Sequence, residues 1–175
     1  MCDCIFLCEL LESKRSERYL IERKKLKNPG DESRKVGDFL SDDFYFGNKN
    51  YLIKDEGGKN TVEYFFKKFL DQFGFYRQQL LIIGIRDNDR ENRNDIFNAV
   101  RNKIHEKNLD FQEKVGKYNI VFTSSQNRKH ILFVVPIKLE YWIEKRFGEV
   151  NEENTRKLAK ENIDWINELK GIICQ

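Results

Sequence analysis

Asp87 and Asp89 stand two residues apart at the end of the run Leu80-Leu81-Ile82-Ile83-Gly84-Ile85-Arg86. Side chains at i and i+2 of an extended chain share a face. The two carboxylates can therefore converge just past the carboxyl end of a strand, the edge where open α/β sheets bind ligands. Two such anions repel unless a proton or a cation lies between them. A hard divalent ion, Mg2+ or Mn2+, is the natural occupant. Asp-x-Asp also forms ordinary solvated turns that cap a following helix, so the pair needs partners before it implies chemistry. Glu9 and Glu12 follow an early apolar run, and Gly57-Gly58-Lys59 precedes a helical pattern. A Gly-Gly turn at a helix start lets backbone N–H groups approach an anion, and the helix dipole assists. Lys59 adds a point charge suited to phosphate. An acid-held ion beside an anion cradle is the apparatus of phosphoryl chemistry: the ion polarises the phosphoryl oxygen and acidifies its water.

The positions depend on the elements. Cys4-Ile5-Phe6-Leu7-Cys8 reads as a first buried strand ending near Glu9 or running to Leu11, and a basic helical pattern follows from Ser13 to Leu26 until Lys27-Asn28-Pro29-Gly30 stops it. Residues 31–50 are a polar excursion with a short aromatic strand at Phe44-Tyr45-Phe46. Tyr51-Leu52-Ile53-Lys54 is the next strand. Asn60 and Glu63 then form a capping box for a helix with Val62, Phe65, Phe66, Phe69, Leu70 and Phe73 on its inner face. The strand at 80–86 follows, then a helix from about Arg93 that turns Ile96, Phe97, Val100 and Ile104 inward. Glu91 reads as helix-start charge. Strands at 118–122 and 130–135 flank a hairpin turn, Pro136 stops the second, and a helix starts at Leu139. A last helix spans about 151–170, burying Leu158, Ile163, Ile166 and Leu169. This alternation predicts a single α/β domain over 1–175, with a largely parallel central sheet flanked by helices and a C-terminal helical extension over 146–175.

With 175 residues and 39% hydrophobic content, the chain can bury a sizeable core, and 14 Phe, 7 Tyr and 2 Trp argue against disorder. A net charge of +3 does not by itself demand a polyanion. No run is long and apolar enough for a membrane span. The start, Met1-Cys2-Asp3-Cys4-Ile5, lacks the basic region of a secretory signal, which predicts a cytoplasmic location. Cysteines 2, 4, 8 and 174 then read as free thiols. His105 and His130 lack partner spacing and are left out.

Taken together, these pieces resemble the Toprim domain of topoisomerases, bacterial primases and small or OLD-type nucleases. The likeness rests on Leu7-Cys8-Glu9, Glu56-Gly57-Gly58-Lys59-Asn60, the run Ile83 to Arg90, and Pro136 followed by Leu139-Glu140, and it covers residues 4–145. The resemblance implies a Mg2+-dependent protein that cuts or joins phosphodiester bonds of DNA or RNA. It makes Asp87 and Asp89 metal ligands, and Glu9 or Glu12 a ligand or general acid/base. Lys59 and Arg90 would stabilise phosphate charge beside Gly57 and Gly58, and Glu140 is a candidate for a second metal site. A first-turn glutamate also suits the helix dipole without any metal. The pattern departs from the family at Leu10, where glycine usually follows the glutamate. Glu12-Ser13 gives a second registration, so Glu9 is preferred and Glu12 kept.

Two other readings remain open. One is a non-catalytic Toprim-like module that grips nucleic acid or a protein. The other is a phosphoacceptor receiver using Asp87, a hydroxyl from Thr123 or Ser124, and Lys138. Basic residues at 14–27 and Arg128-Lys129 could meet a nucleic-acid backbone, although interleaved charges are also ordinary solvated surface. A homodimer or a partner protein is left open by the sequence.

Overall fold

A computed structural model describes residues 2–11, 17–21, 50–54, 62, 66, 70, 81–105 and 110–173. In chain order the elements are α1 (Cys2–Leu11), β1 (Glu17–Ile21), β2 (Asn50–Lys54), β3 (Ile83–Asp87), α2 (Arg93–His105), β4 (Phe111–Val115), β5 (Asn119–Ser124), β6 (Lys129–Val135), α3 (Leu139–Phe147), α4 (Glu152–Ala159) and α5 (Asp164–Ile173). The architecture is α/β. The chain divides into two compact units, one formed by 56–141 and the other by 1–55 with 142–175.

The 56–141 unit is built on a four-stranded sheet ordered β3-β6-β5-β4. β3 and β6 are parallel, with Asp87 beside Val135, whereas β5 runs antiparallel to both β6 and β4. The sheet is therefore mixed rather than largely parallel. The reason lies in the connections: only three residues, 116–118, join β4 to β5, and only four, 125–128, join β5 to β6. Links this short allow hairpins, because a parallel neighbour needs a crossover of a dozen residues or more.

One face of that sheet carries the core. Ile96, Phe97, Val100 and Ile104 of α2 pack with Phe111, Ile120, Phe122, Leu132 and Val134 of the strands and with the helical residues Phe66 and Leu70. The rings of Phe66 and Phe122 lie 5.9 Å apart. Gly84 is glycine because of this contact: a Cβ there would stand 2.8 Å from Cδ2 of Phe66 and 3.1 Å from Cδ1 of Leu132. His130 is fully buried, with Nδ1 accepting from the Ile82 amide at 3.2 Å. It is a satisfied core histidine.

In the other unit, β1 and β2 form a parallel pair, Glu17 beside Asn50 through to Ile21 beside Lys54. Phe6, Leu10 and Leu11 of α1 are buried, and the Phe6 ring meets Trp165 of α5 at 5.5 Å. Trp165 in turn meets Trp142 at 6.0 Å. Three expectations are corrected here. The run from Cys4 to Cys8 belongs to helix α1, not a strand; its buried positions, Phe6 and Leu10, are a helical four apart. The stretch read as a basic helix contains strand β1. The final helix is two, because the chain breaks after Ala159 and restarts at Asp164. Asn151 caps the first of these, accepting from the Asn154 amide at 2.9 Å. Leu158, Ile163, Ile166 and Leu169 are buried as expected. The proposed strand at 44–46 lies outside the described residues.

Candidate functional site

Because β3 and β6 run in the same direction, their carboxyl ends leave the sheet side by side. β3 ends on Asp87 and the loop after it carries Asp89 and Arg90, while the loop after β6 leads through Pro136, Ile137 and Lys138 to Glu140. Backbone hydrogen bonds lace the two loops: the Asn88 amide donates to the Val135 carbonyl at 3.0 Å, and the Asp89 amide to the Ile137 carbonyl at 3.1 Å. The Asn88 side chain adds two more. Its Oδ1 accepts from the Ile137 amide at 2.7 Å and from the Arg90 amide at 3.2 Å.

This geometry changes the argument for the aspartates. The shared-face rule holds for extended chain, and extended chain stops at Asp87. Asp89 and Arg90 occupy the left-handed region, with φ of 45° and 69°. A tight turn laced to the neighbouring strand's exit keeps Asp89 at the edge. Ile137 also has positive φ, 67°, an unusual conformation for a β-branched residue. Strained backbone of this kind gathers at functional loops, where the surrounding structure must enforce it. Asp87 is half-buried, and Asp89 and Arg90 are exposed.

Arg86 directly precedes Asp87 in β3. Its side chain is 1% exposed and its Nη2 donates to Glu91 Oε2 at 2.9 Å. Its Nε donates to the Asp87 carbonyl at 2.8 Å. Glu91 is thus the partner of a buried guanidinium, and α2 begins only at Arg93. Arg86 and Asn88, whose side chains fix this edge, are residues that sequence reasoning passed over. A signal existed for the first: an arginine closing an apolar strand needs an anion if it is to be buried.

Glu140 occupies the first turn of α3 and is half-buried. Glu9 is not at the end of a strand but in the last turn of α1. Its side chain, 6% exposed, is shared between Lys160 Nζ and Arg156 Nη1, each at 2.9 Å. The Lys160 ammonium foremost, and then the Arg156 guanidinium, hold the Glu9 carboxyl below its ordinary value against the opposing effect of burial. A carboxylate held this way is a structural anion, poorly suited to deliver a proton. Glu12, Gly57, Gly58 and Lys59 lie outside the described residues. Among the described residues, no three His, Cys, Asp or Glu side chains group as a metal cage.

The receiver arrangement fails on strand direction. Thr123 pairs with Lys129 at the amino end of β6, whereas Asp87 pairs with Val135 at its carboxyl end. The six residues between span about 20 Å at ~3.3 Å each, too far for a hydroxyl and an acceptor carboxylate to share a phosphoryl group.

Compared with protein-family models, curated proteins and solved structures, the chain matches none. No helix among the described residues is long and apolar enough to cross a membrane.

Proposed function

We propose that this protein is a Mg2+- or Mn2+-dependent, Toprim-like phosphodiester-cleaving or phosphoryl-transfer protein acting on nucleic acid. The observation that carries the reading is the edge just described: one aspartate ends a strand and the second follows in a loop laced to the exit of a parallel neighbour strand. Two carboxylates are few for an all-protein cage, but they suit Mg2+, which keeps several waters and takes substrate phosphate as a further ligand. On this reading Asp87 and Asp89 hold the ion, with Glu140 as the nearest further acid along the β6 loop. The ion supplies Lewis-acid polarisation of the phosphoryl oxygen and a more acidic bound water. Arg90 and Lys138 place positive charge at the same edge, and Lys59 after Gly57-Gly58 is expected to serve the phosphate. Asn88 and the Arg86–Glu91 pair fix the loop that presents the aspartates.

Glu9 is the weakest member of the original set, because two cations already share its carboxylate. Glu12 remains the other glutamate that the Toprim resemblance offers. The non-catalytic binding module is the second reading, favoured by that engagement of Glu9. Cleavage of labelled DNA and RNA with Mg2+ or Mn2+ separates the two. Wild type should cut, and the Asp87→Ala/Asp89→Ala variant should fall to background. Equal activity in both would assign the cutting to a contaminant and end the catalytic reading.

A further inference from the structure

Arg93 opens helix α2, six residues after Asp87. Arg86 and Arg101 of the same unit are paired, with Glu91 and Glu113. The Arg93 guanidinium has no ion pair or hydrogen bond among the described residues, and its Nε is buried without a partner. It rests instead over the Tyr118 ring, 5.9 Å from the centroid. Lys117 Nζ lies over the same ring at 5.1 Å. A desolvated donor with no acceptor is costly, and no carboxylate among the described residues offsets the charge of this guanidinium.

The sheet register places this cluster relative to the aspartates. The Val134 amide donates to the Tyr118 carbonyl at 2.7 Å, and Val134 is also the β6 partner of Arg86 in β3. Tyr118 therefore lies at the same sheet edge as Asp87, two strand spacings away, about 10 Å at ~4.8 Å per strand. That is the span of two to three phosphates at ~3.4 Å of axial rise each. The ring packs against that of Phe133, with centroids 6.2 Å apart.

We propose that Arg93 and Lys117, positioned by the Tyr118 ring, form a phosphate-gripping subsite for the nucleic-acid strand whose phosphodiester lies at Asp87 and Asp89. The proposal rests on the function proposed above and adds a second contact along the same strand. Both cations lie over the Tyr118 ring, so its role is to hold them by cation–π contact rather than to stack a base. The ligand chemistry is the phosphodiester backbone, read without base specificity.

The test is binding of a fluorescein-labelled single-stranded 20-mer and its duplex by anisotropy, in chelator and again in Ca2+, across a salt series. Inorganic phosphate and pyrophosphate serve as competitors. Arg93→Gln and Lys117→Gln should each weaken binding about five- to tenfold and lower the slope of log Kd against log salt by about one, with unchanged circular dichroism. Tyr118→Phe should bind as wild type, and Tyr118→Leu should lose part of the affinity. Unchanged Kd and slope in both cation variants overturn the subsite, whatever the cleavage assay shows. Competition by free phosphate as strong per phosphate as that of the 20-mer overturns the strand-binding claim, leaving a simple anion site. Loss of binding in Arg93→Gln alongside wild type that binds but never cuts supports the subsite and sinks only the catalytic reading.

Discussion

The Oδ1 atom of Asn88 accepts from two backbone amides that belong to different loops, those of Arg90 and Ile137. Its own amide donates to a third partner, Val135. Replacing the side chain leaves both acceptances unmade next to two residues in left-handed backbone. Asn88→Ala should therefore cost about 1–3 kcal/mol, the usual penalty for orphaning a partly buried donor, here the Ile137 amide. If the loop presents the metal ligands, the variant should also need more Mg2+ for half-maximal cleavage, while Asn88→Asp keeps the acceptor and recovers part of the stability. A stability loss with no change in metal requirement would confine Asn88 to the fold. Gly84 gives a cleaner packing test. A methyl group there meets Phe66 at 2.8 Å, so Gly84→Ala should destabilise by roughly 1–3 kcal/mol through overpacking, measurable as a lower urea midpoint with an unchanged slope.

At the scale of elements, α1 and α4 are joined by the Glu9 carboxylate between Lys160 and Arg156. The folded-state pKa of Glu9 is depressed, chiefly by Lys160. Its stabilising contribution is therefore fully present above the ordinary carboxylate value and is lost as pH falls through that value toward the lowered one. Glu9→Gln should lower stability by about 1 kcal/mol at neutral pH, since both cations are substantially solvated. The difference from wild type should shrink in acid; a pH-independent difference would mean that packing, not charge, is what Glu9 contributes. This helix also shows where the sequence misleads. Cys4 to Cys8 is short and apolar, and such runs fit a buried strand or a buried helix equally well. Strand β1 hid in a lysine- and arginine-rich stretch whose charge imitates a solvated helix. β4, Phe-Gln-Glu-Lys-Val, escaped notice because only Phe111 is buried and Val115 is exposed. By contrast β3, α2, β5, β6 and the start of α3 were legible, because apolar periodicity and Pro136 mark them directly. The candidate site was legible only as residue types, at Asp87 and Asp89. It was not legible as geometry, because the lacing of the two loops depends on a parallel pairing of strands 48 residues apart that no local pattern records.

For the molecule as a whole, the decisive property is whether folding and a divalent ion are linked. An ion that binds only the folded chain stabilises it by RT ln(1 + [M]/Kd), about 2.7 kcal/mol at a hundredfold excess over Kd. In a chain of 175 residues that corresponds to a rise in Tm of roughly 5–10 °C. The two compact units give this measurement internal resolution. Both tryptophans, Trp142 and Trp165, belong to the unit formed by 1–55 and 142–175, whereas Asp87 and Asp89 belong to the 56–141 unit. Tryptophan fluorescence thus follows the unit without the aspartates, and hydrogen exchange at 83–105 and 129–138 follows the unit with them. Mg2+ or Mn2+ should slow exchange at the Asn88, Asp89 and Ile137 amides first, because those amides lace the loop proposed to hold the ion. The same ions should leave the Asp87→Ala/Asp89→Ala variant unchanged by either probe. Slowed exchange that persists in the double variant would place the ion elsewhere on the chain. No protection in wild type at millimolar metal, with nucleic acid present, would remove the ion from this edge and leave the two aspartates as a turn between a strand and a helix.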